Sequence, residues 1–300
     1  MQIDFKADEA YCGKKVYHIL RGPLKISNNL ITQLKKNGGI LLNGRPARTV
    51  DKVQIGDVVS VNLDFREETF LEPEDRPLDI VFEDNSLLAV NKPPHMPVHP
   101  SAGHRTGTLA QAVLWHYQKQ GLAVKIRPVN RLDSGTSGLT LFAKNAHIQD
   151  LLIGQMKENR IYKSYLGIVF GSFEPLSGTI RLPISRKEGS ILERIVDPAG
   201  YPSVTHYSTI EILGDYSLVQ FVLETGRTHQ IRVHAKAAGH PLLGDWLYSD
   251  IPTHIIDRQA LHAHRLSFDH PLTEEKIDLI APIPDDIKRI LYYNRKGFCH

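Results

Sequence analysis

Between residues 78 and 225, apolar positions recur in short runs or strict alternation. Six stretches carry the pattern: LDIVFED, SLLAVNKP, GLTLFAK, KSYLGIVFG, VTHYSTIEIL and YSLVQFVLET. Alternation rich in Val, Ile, Tyr and Thr predicts strands, because successive side chains of a strand point to opposite faces. The helical period is rarer, and is carried best by TLAQAVLWHYQKQ after Gly107 and by HIQDLLIGQMKEN. Strands that follow one another without regular helical crossovers predict an α+β domain with a mixed, mostly antiparallel sheet flanked by helices and loops.

The first 65 residues read differently. Ser27 is a good N-cap, Leu30, Ile31 and Leu34 share one helical face, Lys35 and Lys36 fall in the last turn, and Gly38-Gly39 stops the helix. The run ILLNGRPA is broken by Asn43-Gly44, a type I′ hairpin signal, and Gly56-Asp57 leads into the strand-like VVSVNL. These elements predict a compact α/β unit of about fifty residues.

Charge sharpens the division. Residues 1–65 carry ten Lys or Arg against six Asp or Glu, whereas REETFLEPED, residues 66–75, carries one Arg against five acids. The chain therefore divides into a basic head over 1–65, an acidic linker over 66–77 and a body over 78–300. A basic head can meet a polyanion, although such surfaces also merely keep a protein soluble. The 300 residues, 41% of them hydrophobic, suffice for two cores. Cys12 and Cys299 form no disulfide framework, no apolar run approaches the ~20 residues of a membrane helix, and MQIDFKADEAY lacks a signal-peptide core. A cytoplasmic protein is expected.

Four segments carry candidate chemistry. In RPVNRLDSGTSGLTLFAKN, residues 127–145, Asp133 stands between Arg131-Leu132 and a glycine-rich turn. The plain reading is an Asx-type turn, and the functional one is a carboxylate held for catalysis. In ETGRTHQIRVHAKAAGHPLLGD, residues 224–245, Arg232 lies between Ile231 and Val233 on a strand or the first turn of a helix. A partly buried arginine needs an anion there, either Asp133 or a substrate phosphate. Tyr162 and Tyr165 punctuate RIYKSYLGIVFG as core packing or as a platform for a nucleobase. Lys92, before two prolines, and then His95 and His99 make a rigid strand exit that lines a cleft or turns a corner.

Read in this order, the segments resemble the RluA family of RNA pseudouridine synthases. NKPPHMPVHP, NRLDSGTSGLTLFAK, KSYLGIV, RTHQIRVHAKAAGHPLLGD and the later LHAHRLSFDHP match that family's signatures over roughly residues 80–282. The head, approximately residues 14–63, is similar to the RNA-binding module named after small-subunit ribosomal protein S-four, with its usual Arg-rich helix start thinned to Lys25. The resemblance implies that Asp133 is the catalytic aspartate, Tyr165 the tyrosine that stacks on uracil and Arg232 the basic partner of the aspartate. It also implies that Arg131 holds open the flipped nucleotide. Asn130, Lys92, His99, Arg227 and His229 in the body, and Lys25, Lys35, Lys36 and Arg45 in the head, are the other expected RNA contacts. Two departures stand out: Asn130 replaces a usual His, and Pro94-His95 a usual Pro-x-Gly.

The implied reaction breaks the glycosidic bond of a uridine, rotates the uracil and joins its carbon 5 to the sugar. No electrons or phosphate are exchanged, so no cofactor and no metal are expected. The carboxylate can act at C1′, at carbon 6 or on the 2′ proton. The base must first leave its stack, which costs a few kcal/mol and calls for an aromatic face. The resemblance implies that Tyr165 supplies that face, and some assistance to proton loss from carbon 5 is expected of it. The expected partner is RNA, large-subunit ribosomal RNA first and transfer RNA second, bound by a monomer. Two rivals are a noncatalytic ribosome-assembly factor and a metal-dependent hydrolase built on His262-x-His264.

Overall fold

Ser27 accepts a hydrogen bond from the Leu30 amide at 3.3 Å and so starts the longer helix of the N-terminal unit where the sequence predicts it. In the computed structural model, which describes residues 1–295 apart from 66, 68, 102 and 104, this unit contains β1 (Gln2–Lys6), α1 (Val16–Arg21), α2 (Asn28–Lys36), β2 (Ile40–Leu42), β3 (Arg45–Pro46) and β4 (Val58–Asn62). Cys299 and the linker residues Arg66 and Glu68 lie outside the described residues. Asn43 and Gly44 have φ of 51° and 75°, the two positive values a type I′ turn demands. The four strands pair in the order β1-β4-β2-β3, and Leu30, Ile31 and Leu34 of α2 pack with Val59 and Val61 of β4. β1 was not foreseen, although its five residues, QIDFK, alternate polar and apolar; two apolar positions make a short signal.

The acidic stretch does not hang free. Arg127 grips the Glu67 carboxylate, with an Nη1 to Oε2 distance of 2.7 Å, and both side chains are 10% exposed. Glu74 accepts from the Gly107 amide at 2.7 Å.

The larger unit is built on one long sheet. Its elements are β5 (Ile80–Glu83), β6 (Leu87–Lys92), α3 (Leu109–Lys119), β7 (Arg127–Pro128), β8 (Ser137–Ala143), α4 (Ala146–Lys157), β9 (Tyr162–Phe170), β10 (Ser177–Arg181), β11 (Ile184–Arg186), β12 (Arg194–Val196), β13 (Val204–Leu213), β14 (Tyr216–Leu223), α5 (Gln230–Ala237), β15 (Leu261–Asp269), β16 (Lys276–Ile280) and α6 (Asp285–Arg295). The strand order is β10-β13-β14-β9-β15-β8-β6-β5, with β16 added beside β15 and β7 beside β8, while β11 and β12 form a separate hairpin. The fold is α+β, with a mixed, mostly antiparallel sheet and a smaller α/β unit before it. Among the described residues no helix is long and apolar enough to cross a membrane.

Alternation along the strands sorts the core onto two faces. Leu88 and Val90 of β6, Phe142 of β8 and Tyr165 of β9 join Leu109, Val113 and Tyr117 of α3 on one face. Leu87, Ala89, Leu139 and Leu141 join Ile148 and Leu152 of α4 on the other.

One pair of neighbours in the long sheet is parallel: β8 and β15 run side by side from Ser137↔His262. Parallel strands enter a sheet at the same end, so the loops leading into β8 and β15 emerge together. Gly138 makes this approach possible. Its φ is +110°, and a Cβ there would stand 2.2 Å from the Ala263 carbonyl oxygen. Gly138→Ala is therefore expected to destabilise the protein by about 2–3 kcal/mol. Urea unfolding measures this, and an unchanged midpoint would contradict it.

Candidate active site

The loop of residues 131–136 enters β8 with its Ser134 and Gly135 carbonyls partly buried, and two buried basic side chains donate to them. Lys92, 0% exposed, donates to Ser134 O at 3.0 Å and Pro93 O at 2.8 Å. Burial, helped by Arg258 and opposed by Asp133, brings its pKa down to about 7. Arg258, 1% exposed, donates to Gly135 O at 3.0 Å and is itself anchored on Asp286 at 2.7 Å. Gln259 donates to Thr136 Oγ1 at 3.0 Å, while Leu132 is buried in the core. Asp133 is thus presented by a loop held from beneath.

Its carboxylate has two distinct oxygens. Oδ2 accepts from Arg232 Nη1 at 3.2 Å, and Oδ1 faces His229 Nε2 at 3.8 Å. Arg232 lies in the first turn of α5, and the start of that helix is set by the buried Gln230. The Gln230 Oε1 accepts from the Arg227 amide at 2.9 Å, and its Nε2 donates to Val204 O at 2.9 Å. Sequence reasoning expected Arg232 to pair with Asp133. It does, but its closer partner is Asp245, gripped through Nε and Nη2 at 2.7 Å each. Burial opposes the Arg232 charge, and Asp245 and then Asp133 together more than offset it, so the guanidinium pKa lies above its ordinary value. The Tyr248 ring covers the guanidinium at 4.8 Å.

Tyr165, paired in the sheet with Phe221 and Ala263, turns its ring toward the same place. With Leu132, Leu223, Ile231 and Leu261 it walls an open pocket that is also lined by Asp133, Arg232 and His229. Burial, and then Asp133, pushes its phenol well above the ordinary tyrosine range. Tyr162 points to the opposite face of β9 and is exposed beside Arg265.

Arg131 and Arg227 are exposed and line the pocket, the latter stacked over Tyr201 at 5.3 Å. His99 is half-buried, its pKa lowered by burial and then by Arg131. Lys25, Lys35, Lys36 and Arg45 are exposed on the N-terminal unit and do not line the pocket.

Two expected RNA contacts lie elsewhere. Lys92 is sealed beneath the Asp133 loop, with no surface left for a phosphate. Asn130 donates to Leu139 O at 3.0 Å and accepts from the Leu141 amide at 2.8 Å, extending the β7–β8 ladder through its side chain. Both act on the backbone that carries Asp133.

Of the histidine pair behind the metal reading, His262 accepts or donates at Ser137 Oγ, 2.9 Å away, and burial takes its pKa down to about 4. His264 bonds Ala281 O at 2.8 Å. Among the described residues, no group of three or more His, Cys, Asp or Glu is disposed to hold a metal ion. Sequence reasoning missed Asp245, Tyr248, Arg258 and Gln259 as parts of this site. Asp245 had a signal, the Gly-Asp ending GHPLLGD; a Cβ on Gly244, at φ +72°, would stand 2.2 Å from Arg258 O. Arg258 had none.

Comparison with known proteins bears on this geometry. Residues 86–237 match the RNA pseudouridylate synthase family. The chain is 40% identical over 274 residues to the uncharacterized RNA pseudouridine synthase YjbO of Bacillus subtilis, covering 90% of this chain and 96% of that protein. It is 38% identical to ribosomal large subunit pseudouridine synthase D of Neisseria meningitidis serogroup A, covering 88% of this chain and 74% of the relative. Among solved structures, human RNA pseudouridylate synthase domain containing 4 shares the fold, with a TM-score of 0.59 at 21% identity over 72% of this chain and 92% of the human one.

Proposed function

The chain belongs to the RNA pseudouridylate synthase family, isomerases that convert uridine in RNA to pseudouridine, and on that premise we propose that Asp133 is its catalytic carboxylate and large-subunit ribosomal RNA its substrate. The observation that carries the assignment is the asymmetry of a carboxylate that lines the pocket walled by Tyr165: Oδ2 is held by Arg232 at 3.2 Å, while Oδ1 has His229 Nε2 no nearer than 3.8 Å. The isomerisation breaks the N1–C1′ bond, forms the C5–C1′ bond, removes the proton of carbon 5 and returns one to N1. A carboxylate fixed by a rigid loop can meet a flipped uridine at C1′, at carbon 6 or at the 2′ proton without reorganising.

Tyr165 serves as the stacking face. A base role in proton loss from carbon 5 suits it less, since burial and Asp133 keep the proton on its phenol. Arg131 and Arg227 at the pocket rim meet phosphates or take the place of the extruded base. The reaction exchanges no electrons and no phosphate and so calls for neither metal nor cofactor, and the protein acts as a cytoplasmic monomer.

The similarity to a ribosomal large subunit enzyme supports ribosomal RNA as the target. Mapping pseudouridines in ribosomal and transfer RNA from cells with and without the gene tests this. Loss of a large-subunit site is expected; loss confined to transfer RNA would overturn the target.

In the same proposal, residues 1–65 form an S-four-type RNA-binding domain, 66–77 a linker and 78–300 the catalytic domain. Lys35 and Lys36 close α2 and Arg45 opens β3, all three exposed. Replacing these three by Ala is expected to weaken RNA binding and to reduce the slope of log K against log salt by about 0.7–0.9 for each phosphate the head no longer neutralises. An unchanged slope in filter-binding titrations would remove the head from the RNA interface.

A further inference from the structure

Beside the Asp133 carboxylate lies a hydrogen-bond chain that the proposed chemistry does not use. Tyr248, 2% exposed, has its phenolic oxygen 2.8 Å from the Arg194 amide nitrogen and 2.8 Å from His229 Nδ1. A backbone N–H can only donate, so Arg194 occupies a lone pair of the phenol. The phenol keeps its own proton, since burial pushes its pKa up to about 12. That proton needs an acceptor, and the one within reach among the described residues is His229 Nδ1.

A ring nitrogen that accepts carries no proton, so a neutral His229 holds its proton on Nε2. Neutrality is what the surroundings favour. Burial lowers the His229 pKa, Arg232 and Arg194 lower it further, and Asp133 and Asp245 only partly oppose them. His229 sits at φ 59°, ψ 18° immediately before α5, a left-handed conformation uncommon for a non-glycine residue. Nε2 points at Asp133 Oδ1 from 3.8 Å, a gap that a small adjustment on substrate entry can close.

We propose that Tyr248 locks His229 in the Nε2–H tautomer, so that His229 acts as a positioning residue whose N–H orients the free oxygen of Asp133. Arg232 holds one carboxylate oxygen, and His229 orients the other once the 3.8 Å gap closes on substrate entry. Through the Arg194 amide, the lock is also tied to the β11–β12 hairpin. The inference rests on the assignment of Asp133 as the catalytic carboxylate, but the tautomer can be read without turnover.

The test uses full-length protein with ¹⁵N-labelled histidine, the His229 signals being those that disappear in His229→Gln. An unprotonated Nδ1 and a protonated Nε2 are expected in the native protein, with a mixed tautomer in Tyr248→Phe. In turnover assays Tyr248→Phe is expected to lower kcat about 10-fold with KM within about twofold. His229→Gln, whose amide can still donate toward Asp133, is expected to retain more activity than His229→Leu. A protonated Nδ1 in the native protein, a Tyr248→Phe enzyme with native kcat, or equal loss in the two His229 variants would overturn the lock. A native protein that turns over no uridine would instead overturn the proposed function, with the tautomer still decided by the spectrum.

Discussion

Replacing Asp245 by Ala is expected to lower the unfolding free energy by about 3–5 kcal/mol, the usual cost of breaking a buried ion pair by removing one partner. The Asp245 side chain is 0% exposed and that of Arg232 5%. Without Asp245, the guanidinium keeps one bond to a carboxylate, the 3.2 Å contact with Asp133. The Leu247 amide, 3.2 Å from Asp245 Oδ1, loses its acceptor as well, and the Tyr248 amide keeps only the Asp245 carbonyl at 3.3 Å. Urea unfolding of the variant measures the loss. The double replacement Arg232→Met, Asp245→Leu removes both charges at once and is expected to regain most of the stability. It should remain inactive, because Asp133 then has no arginine. A double variant as unstable as the single one would mean that packing, and not the ion pair, accounts for the effect.

Asp133→Asn is expected to reduce turnover by about 10³-fold or more, which corresponds to about 4 kcal/mol of transition-state stabilisation. The substitution is nearly isosteric, and the loop beneath it is held by Lys92, Arg258 and Gln259 through atoms that the change does not touch. Folding should be unaffected, and RNA affinity should stay within about twofold or rise slightly, since a negative charge is removed beside phosphates. Nucleoside analysis of digested RNA, paired with filter binding, separates the two quantities. A parallel fall in affinity and turnover would make Asp133 a binding residue.

Much of this was legible in the chain because the signals were local. The Ser27 cap, the Asn43-Gly44 turn and the alternating strands each follow from a few neighbouring residues. The need of a partly buried arginine for an anion made Asp133 one candidate partner of Arg232, but only the family resemblance brought Asp133, Tyr165 and Arg232 together, since they lie on β8's entry loop, β9 and α5, and no periodicity connects them. The parallel pairing of β8 with β15 was not legible either. It joins residues 137 and 262, and depends on a glycine that admits Ala263. The supporting residues were hardest to read. Lys92 is written like a phosphate ligand and Asn130 like a substrate contact, yet burial turns both to the backbone. A basic or amide side chain next to a motif does not reveal in sequence which way it faces.

The central claim is that this protein isomerises uridine through Asp133. The most direct measurement incubates the purified protein with large-subunit ribosomal RNA carrying tritium at uridine carbon 5, and follows the label released to water. Release that accompanies pseudouridine formation is predicted for the native protein, with none above background for Asp133→Asn. Undiminished release by Asp133→Asn would contradict the account.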